Sequence, residues 1–162
     1  MTGNSYLDPA AWYAQLPTVY LAAAALITSP RGQVLLVKPN YRDYWNLPGG
    51  IVEDAEDPYA GCAREVREEI GLALPIGTLL VADWVPPQGE RPRPILSMVF
   101  DGGTLASGDG IVLQREELDD YMFTDAADVG SYLPPNVAAR VPAALSARAA
   151  GGASYLPIAG RI

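Results

Sequence analysis

The sequence predicts an α/β protein in which helices cover both faces of a mixed β-sheet. Short apolar segments typical of strands occur along the whole chain, and only a few segments between them have a helical pattern. Two of these begin with Asp-Pro, at Asp8 and Asp57, where the aspartate can cap a helix and the proline fits its first turn. The 162 residues, 49% of them hydrophobic, can bury a core, and we expect one domain over residues 1–162.

The first 50 residues predict a short helix, a β-hairpin and a loop rich in aromatic residues. The loop ends at Gly49-Gly50, where the backbone can turn tightly or approach a ligand closely. The predicted elements are, in order, a helix from Pro9, a strand over 19–28, a turn at 29–32, a strand over 34–37 and a loop over 39–48.

A second helix is predicted over residues 58–70. Asp57 supplies its N-cap, and Gly71 is a residue type that commonly follows the last helical turn. Apolar side chains recur at the spacing of one helix face, which predicts a stripe packed on the core. The members of this stripe are Tyr59, Ala63, Val66 and Ile70.

The remaining segments predict four strands and a C-terminal helix. A proline-rich loop over 86–94 separates the first two strands. Asn136 is a good N-cap residue, so the last helix is expected to begin there and to run to Ala149. The strands are predicted over residues 76–85, 95–100, 112–114 and 121–124.

Charge and hydropathy exclude two classes of partner. The net charge is −8 and the isoelectric point is about 4.4, so the surface repels the phosphate backbone of DNA or RNA, and no polymeric nucleic acid is expected. The longest apolar run, 19–27, is much shorter than the roughly 20 residues of a membrane-spanning helix. With no basic and apolar leader and a single cysteine, Cys62, the sequence favours the reducing cytoplasm.

The chain contains no histidine. This excludes catalysis by Ser-His-Asp or Cys-His groups, and it excludes a zinc ion held by histidine. Proton transfer must therefore be carried out by carboxylates, lysine, tyrosine or metal-bound water.

A group of carboxylates on the second helix is the strongest functional signal. Residues three or four apart share a helix face, so Glu65, Glu68 and Glu69 are expected to converge. Arg64 lies four residues before Glu68, but Glu65 and Glu69 have no basic residue at these spacings. Both also lie towards the helix C-terminus, where the macrodipole disfavours anions. A solvated polar face is one interpretation, and a site for a hard cation, Mg²⁺ or Mn²⁺, is the other.

The motif around these carboxylates resembles the signature of the Nudix hydrolases at each of its defined positions. The match extends over residues 50–72, and 45–49 resemble the family's usual lead-in. Ala55 and Gly61 depart from residues common in the family, namely glycine and alanine, but neither change removes a ligand. The matching residues are Gly50, Glu56, Arg64, Glu65, Val66, Glu68, Glu69, Gly71 and Leu72.

The resemblance implies a Nudix-type α/β/α sandwich around a mixed sheet and a magnesium-dependent hydrolase. Such enzymes cleave the diphosphate linkage of a nucleoside diphosphate joined to another group. Carried over to this chain, Glu65, Glu68 and Glu69 would hold the metal together with the carbonyl of Gly50. Glu56 and Arg64 would brace the loop against the helix.

Without histidine, the proton acceptor is expected to be a carboxylate. The resemblance leaves Glu68 and Glu69 open for this role, and also a glutamate from a later loop. The segment 114–120 is the only comparably acidic one after the motif, and within it Glu117 is the first choice and Glu116 the second. A merely solvated acidic loop remains an alternative.

The substrate is expected to be a small nucleotide, either ADP-ribose or another nucleotide sugar, or a modified nucleoside triphosphate. Aromatic faces could stack on a base, and arginines could reach phosphates, although each aromatic could instead pack in the core or a lid. The candidate substrate-binding residues are Tyr41, Arg42, Trp45, Trp84 and Arg91. A catalytically silent nucleotide-binding or regulatory module is the alternative function, and a homodimer is left open.

Overall fold

The structure, a computed structural model, describes residues 8–106, 108 and 110–157. Among them, seven strands form one sheet, with helices on both faces, which confirms the predicted α/β class. The strands are β1 (Tyr20–Thr28), β2 (Val34–Pro39), β3 (Gly49–Ile51), β4 (Leu79–Val85), β5 (Ile95–Thr104), β6 (Leu118–Thr124) and β7 (Ser154–Leu156). The helices are α1 (Pro9–Ala14), α2 (Pro58–Ile70), α3 (Pro135–Ala138) and α4 (Arg140–Ala150), with a 3₁₀ turn at Val129–Ser131.

The sheet is mixed, and its strands lie in the order β6-β2-β1-β5-β4-β7. The β1–β5 and β4–β7 pairs are parallel, whereas the other pairs are antiparallel. The short strand β3 also pairs with β1, on the side where β2 lies. The glycine-rich segment is therefore hydrogen-bonded directly to the central strand of the sheet.

Side chains of β1 alternate between two hydrophobic cores. Ala25 and Ile27 belong to the core that includes Val66 of α2. Leu26, between them, belongs to the other core, which includes Val141 of α4. This period of two is what a strand covered on both faces requires, and it places α2 and α4 on opposite faces of the sheet.

Helix α2 begins and ends where the sequence predicts. The Asp57 carboxylate accepts hydrogen bonds from the backbone N–H groups of Tyr59 and Ala60, and Gly71 adopts a left-handed conformation with φ 73°. The predicted core stripe is wrong at Tyr59, which is about half exposed, with its hydroxyl bonded to the Ile76 carbonyl. Cys62 is buried in its place.

Two predicted elements of the C-terminal half are wrong. Residues 112–114 do not form a strand, because their backbone N–H groups bond to the last carbonyls of α2 instead of to a neighbouring strand: Val112 to Ile70, and Gln114 to Glu69. Asn136 does not cap the last helix. It lies inside α3, one helical turn that starts after Pro134, and α4 follows at Arg140.

The other differences concern strand bounds. The strand predicted over 76–85 begins at Leu79, and the one predicted over 95–100 continues to Thr104. Strands β3 and β7 were not predicted, since each has three residues and takes its conformation from pairing with a longer strand. No helix in the described ranges is long and apolar enough to cross a membrane.

Ala55 lies in the turn before α2 with φ 69°, the left-handed region that a non-glycine residue enters at a cost of about 1–2 kcal/mol. We expect Ala55→Gly to raise the free energy of unfolding by about 0.5–1 kcal/mol, because the relieved strain exceeds the entropy that glycine adds to the unfolded chain. Urea denaturation measures the change.

Ala60→Gly is the matched control, since Ala60 is an exposed residue in the first turns of α2. The same substitution should there lower stability by up to about 1 kcal/mol. Equal changes in the two variants would contradict the strained turn.

Candidate active site

A cleft of about 840 Å³ opens beside β3. Its lining combines the glycine segment, two acidic residues of α2, the aromatic loop after β2, and the segment that leads into α4. The acidic lining residues are Glu65, Glu69 and Glu117. Carboxylates therefore converge on one cleft from two separate parts of the chain.

Glu69 is the most buried of these carboxylates, with 8% of its surface exposed. Its Oε2 accepts a hydrogen bond of 2.7 Å from the backbone N–H of Gly49. Burial raises the pKa of Glu69 from its ordinary value of 4.5 to about 8, and repulsion from Glu65, Glu117 and Glu68 adds to the shift. A charged Glu69 is thus unfavourable unless a positive group joins it.

Gly50 and Glu65 are in close contact. A Cβ atom on Gly50 would displace the Glu65 carboxylate, and one on Gly49, where φ is 145°, would collide with the backbone of Ala23 and Ala24, so the glycines let the loop approach both the helix and the sheet this closely. Burial raises the pKa of Glu65 too, and its hydrogen bond with Arg64 opposes this shift. The loop backbone and this carboxylate therefore share one small space.

Arg64 ties the loop to the helix. Its guanidinium donates to both carboxylate oxygens of Glu56, at 2.7 and 3.2 Å, and to the carbonyl of Ile51 at 3.1 Å. The hydrogen bond from Arg64 lowers the pKa of Glu56, and Glu56 in turn raises that of Arg64. Glu56 also accepts the backbone N–H of Glu53, which closes the turn.

The loop also packs closely on α2 at Gly61. A Cβ there would lie 3.0 Å from Glu56 Oε1, which Arg64 holds in place, so glycine avoids a crowded contact at this point of the helix.

Arg64 also binds two of the three predicted metal ligands. Its Nη1 lies 3.0 Å from Glu65 Oε1 and 3.0 Å from Glu68 Oε2. The expectation that Glu65 lacks a basic partner was therefore incomplete, because the adjacent arginine reaches it although no residue at helical spacing does. Glu68 is exposed and does not line the cleft.

The predicted convergence of Glu65, Glu68 and Glu69 on one point is not what the described residues show. No group of three or more His, Cys, Asp or Glu side chains among them is arranged to hold a metal ion. The reason is that Glu65 and Glu68 turn to Arg64, whereas Glu69 turns to Gly49. The donor set still fits a hard cation, since buried carboxylates and a backbone carbonyl are the oxygen ligands that Mg²⁺ takes.

Glu117 lines the cleft from the turn before β6, close to the end of α2. Hydrogen bonds fix its backbone: Glu117 N–H donates to the Gln114 carbonyl at 3.0 Å, and the Glu117 carbonyl accepts from Asn40 N–H at 2.9 Å. Its charge raises the pKa of both Glu65 and Glu69, whereas the neighbouring Glu116 does not line the cleft. Of the two glutamates that the sequence offered in this segment, only Glu117 therefore lines the cleft.

The aromatic loop after β2 brings Tyr41, Arg42 and Tyr44 to the cleft. The Arg42 guanidinium lies over the rings of Tyr41 and Tyr44, at 5.4 and 5.5 Å from their centroids, and donates to the Tyr44 hydroxyl at 2.6 Å. All three side chains are exposed. They form a cationic and aromatic rim.

Three other predicted substrate-binding residues have different surroundings. Trp45 and Trp84 do not line the cleft: Trp45 packs on the core in a T-shaped pair with Tyr132, and Trp84 lies exposed on β4. Arg91 does line it, but its guanidinium donates to three nearby backbone carbonyls, at the end of β4 and in the loop after it. These carbonyls belong to Val85, Pro86 and Arg93.

Sequence reasoning missed a second polar group in the cleft wall. Arg140 and Ser97 line the cleft, and Arg140 Nε donates to Asp83 Oδ2 at 2.8 Å. Asp83 and Arg140 are 57 positions apart and lie in otherwise apolar segments, so no local pattern pointed to the pair.

Two curated relatives share parts of this sequence. A MutT-like protein of Streptomyces ambofaciens is 33% identical over 63 residues, which cover 39% of this chain and 41% of that protein. A CMP-5'-(N-acetyl-N-hydroxy-3-aminopropyl)phosphonate hydrolase of Streptomyces rubellomurinus is 29% identical over 112 residues, covering 66% and 54%. The chain thus spans about half or less of the length of these relatives.

Solved structures share the fold. The crystal structure of an ADP-ribose pyrophosphatase from Streptococcus suis superimposes with a TM-score of 0.65, covering 85% of this chain and 98% of that one at 22% identity. The family model described as the NUDIX domain matches residues 19–145, which is most of the chain. The resemblance inferred from residues 50–72 is therefore confirmed, and this chain belongs to the Nudix family.

Proposed function

We propose that the protein is a magnesium-dependent pyrophosphohydrolase. It cleaves the diphosphate linkage of a nucleoside diphosphate joined to another group, such as a nucleotide sugar, ADP-ribose or a modified nucleoside triphosphate. The observation that carries this proposal is the buried carboxylate of Glu69 beside the glycine segment, in a cleft that also contains Glu65 and Glu117. The hydrolases of phosphonate-linked CMP and of ADP-ribose among the similar proteins support the same reaction class.

The residues that would hold Mg²⁺, or Mn²⁺ in its place, are Glu65, Glu69 and the Gly50 carbonyl, with Glu68 as a further ligand if it leaves Arg64. When bound, the cation would neutralise phosphate oxygens and lower the pKa of a water molecule. The raised pKa values of Glu65 and Glu69 support this assignment, because burial disfavours the ionised form of each carboxylate and a bound cation would offset that cost.

The chain's own groups supply the remaining functions. Glu117 lines the cleft from the turn before β6 and accepts the proton of the attacking water. The Arg42 guanidinium can bind phosphate oxygens that extend beyond the acidic residues of the cleft. The rings of Tyr41 and Tyr44 hold this guanidinium in place. Arg64 and Glu56 hold the loop against α2, so they are positioning residues.

Glu69→Gln should abolish hydrolysis without unfolding the protein. The amide keeps the size of the side chain but loses the charge, and the loss should exceed the roughly 100-fold in metal affinity or activity that changes outside the ligand shell typically produce. Phosphate release from a panel of nucleotides with MgCl₂ measures the rate, and circular dichroism checks the fold.

Glu90→Gln serves as the control, because Glu90 is exposed in the loop after β4 and does not line the cleft. A Glu69→Gln enzyme as active as this control would exclude the metal site. A native protein that binds nucleotides but hydrolyses none would instead favour the silent module.

The pKa of Glu69 makes stability and magnesium affinity depend on pH in opposite directions. Between pH 4.5 and about 8, the folded protein holds a proton on Glu69 that the unfolded chain has lost, so stability falls as pH rises, by at most about 1.4 kcal/mol per unit. Magnesium needs the ionised form, so its affinity should rise over the same window. Calorimetry and urea denaturation at several pH values test both trends.

Glu69→Gln is the reference for these titrations, since it removes the group and leaves the other titrating residues in place. The difference in stability between the native protein and this variant should vary with pH. A constant difference would show that Glu69 has an ordinary pKa.

The adjacent glutamates before β6 allow a matched test of the proton acceptor. Glu117→Gln should lower kcat by about 10²–10⁴-fold, the usual contribution of general acid–base catalysis, and Mg²⁺ affinity should change much less. Glu116→Gln should leave kcat nearly unchanged, since Glu116 is outside the cleft. Equal losses in both variants, or none in either, would rule out Glu117 for this role.

A further inference from the structure

Arg140 has hydrogen-bond donors that the protein does not use. Its Nε donates to Asp83, but its two terminal nitrogens, Nη1 and Nη2, have no partner among the described residues. The residue is nevertheless buried, with 9% of its surface exposed. Asp83, at 6%, holds the guanidinium from within the sheet through this hydrogen bond.

These donors face the cleft. Within the described ranges, no buried side-chain nitrogen or oxygen lacks a hydrogen-bond partner, so the terminal nitrogens of Arg140 must reach an open space. Arg140 lines the cleft, which is that space. The same holds for the hydroxyl of Ser97, a residue with 3% of its surface exposed, whose side chain also makes no hydrogen bond in this part of the chain.

The pair of Asp83 with Arg140 lies at a distance from the acidic site that the sheet fixes. In the sheet, Ile51 pairs with Ala22, Ala22 with Ser97, and Ser97 with Asp83, so four residues form one row across β3, β1, β5 and β4. Three strand spacings of about 4.8 Å separate the two ends of this row, roughly 14 Å. A nucleotide with its phosphates at Gly50 can therefore reach Arg140 with its base.

The charge of the group favours a neutral ligand. Arg140 and Asp83 form a buried pair with no net charge. An anion bound to the free nitrogens would leave one negative charge uncompensated in a partly desolvated site, which is costly. A neutral ligand with hydrogen-bond acceptors avoids this cost and satisfies both donors.

The shape of the surrounding wall favours a flat ring. Apolar side chains from the sheet and from the segment before α4 line the cleft together with Arg140. They are Val85, Ile95, Leu133 and Val137. A planar heterocycle offers apolar faces to such a wall and acceptors at its edge, whereas a sugar offers hydroxyls on all sides.

We propose that Arg140 determines base specificity by reading a nucleobase edge that carries two adjacent acceptors. Guanine presents O6 and N7, and cytosine presents O2 and N3, so each can take both terminal nitrogens of one guanidinium. Adenine places an amino group beside its ring acceptor, and uracil places an N–H between its two carbonyls. This inference rests on the proposed function, and it narrows the substrates to guanine and cytosine nucleotides, away from ADP-ribose.

Calorimetric titration of the native protein with GMP, CMP, AMP and UMP in the presence of MgCl₂ tests the proposal. GMP and CMP should bind at least about fivefold more tightly than AMP and UMP, since one good bidentate pair discriminates by about five- to 150-fold. Comparison of GMP with CMP shows which of the two bases the cleft prefers. Preferential binding of AMP or UMP, equal binding of all four nucleotides, or binding of none would overturn the proposal.

Arg140→Lys keeps the charge beside Asp83 but replaces the planar fork by a single ammonium group. It should reduce the affinities for GMP and CMP to that for AMP. Arg148→Lys is the matched control, because Arg148 lies on the same helix and spends its donors on Asp101, Thr28 and the Leu26 carbonyl outside the cleft. Equal effects of the two variants would contradict a reading role for Arg140.

Ser97→Ala provides a second variant should Arg140→Lys fail to fold. It removes the unpaired hydroxyl at the same end of the cleft and should weaken the binding of GMP or CMP more than that of UMP or AMP. An equal loss of affinity for all four nucleotides would count against the proposal. Mononucleotides are products, so their binding does not require turnover. Base selectivity without hydrolysis would refute the proposed function alone, whereas hydrolysis without base selectivity would refute this inference alone.

Discussion

The burial of the Glu69 carboxylate beside the Gly49 backbone is the constraint on which the site depends. Helix α2 places an ionisable group where solvent cannot stabilise its charge, and a single backbone N–H compensates for this only in part. Gly50 then brings a carbonyl-bearing loop against Glu65, so oxygen atoms accumulate where negative charge is already unfavourable. Such a site gains most from a ligand with a high positive charge.

Arg64 explains how the same short segment can build both fold and site. Its pair with Glu56 holds the turn against α2, and its remaining nitrogen is shared by Glu65 and Glu68. The arginine therefore offsets the repulsion among these carboxylates from outside the cleft, because Glu69 lines the cleft and Arg64 does not. A cation would compete with Arg64 for Glu65, so the positioning residue and the metal site are coupled.

Local chemistry made much of this structure predictable. The cap at Asp57, the stop at Gly71 and the motif between them act within a few residues of sequence, and the structure has them where expected. The pair of Asp83 with Arg140 was beyond prediction, because it depends on how a strand and a helix pack across the sheet. The strand predicted over residues 112–114 was wrong for the same reason, since the backbone partners of these residues are the last carbonyls of α2.

The most direct test of the central claim is anomalous X-ray diffraction from a crystal soaked with MnCl₂. A site built on buried, partly compensated carboxylates predicts an anomalous peak between Glu69 and Glu65, next to the carbonyl of Gly50, with Glu65 turned away from Arg64. A map with no peak in the cleft, and with Glu65 still bonded to Arg64 at saturating Mn²⁺, would contradict it.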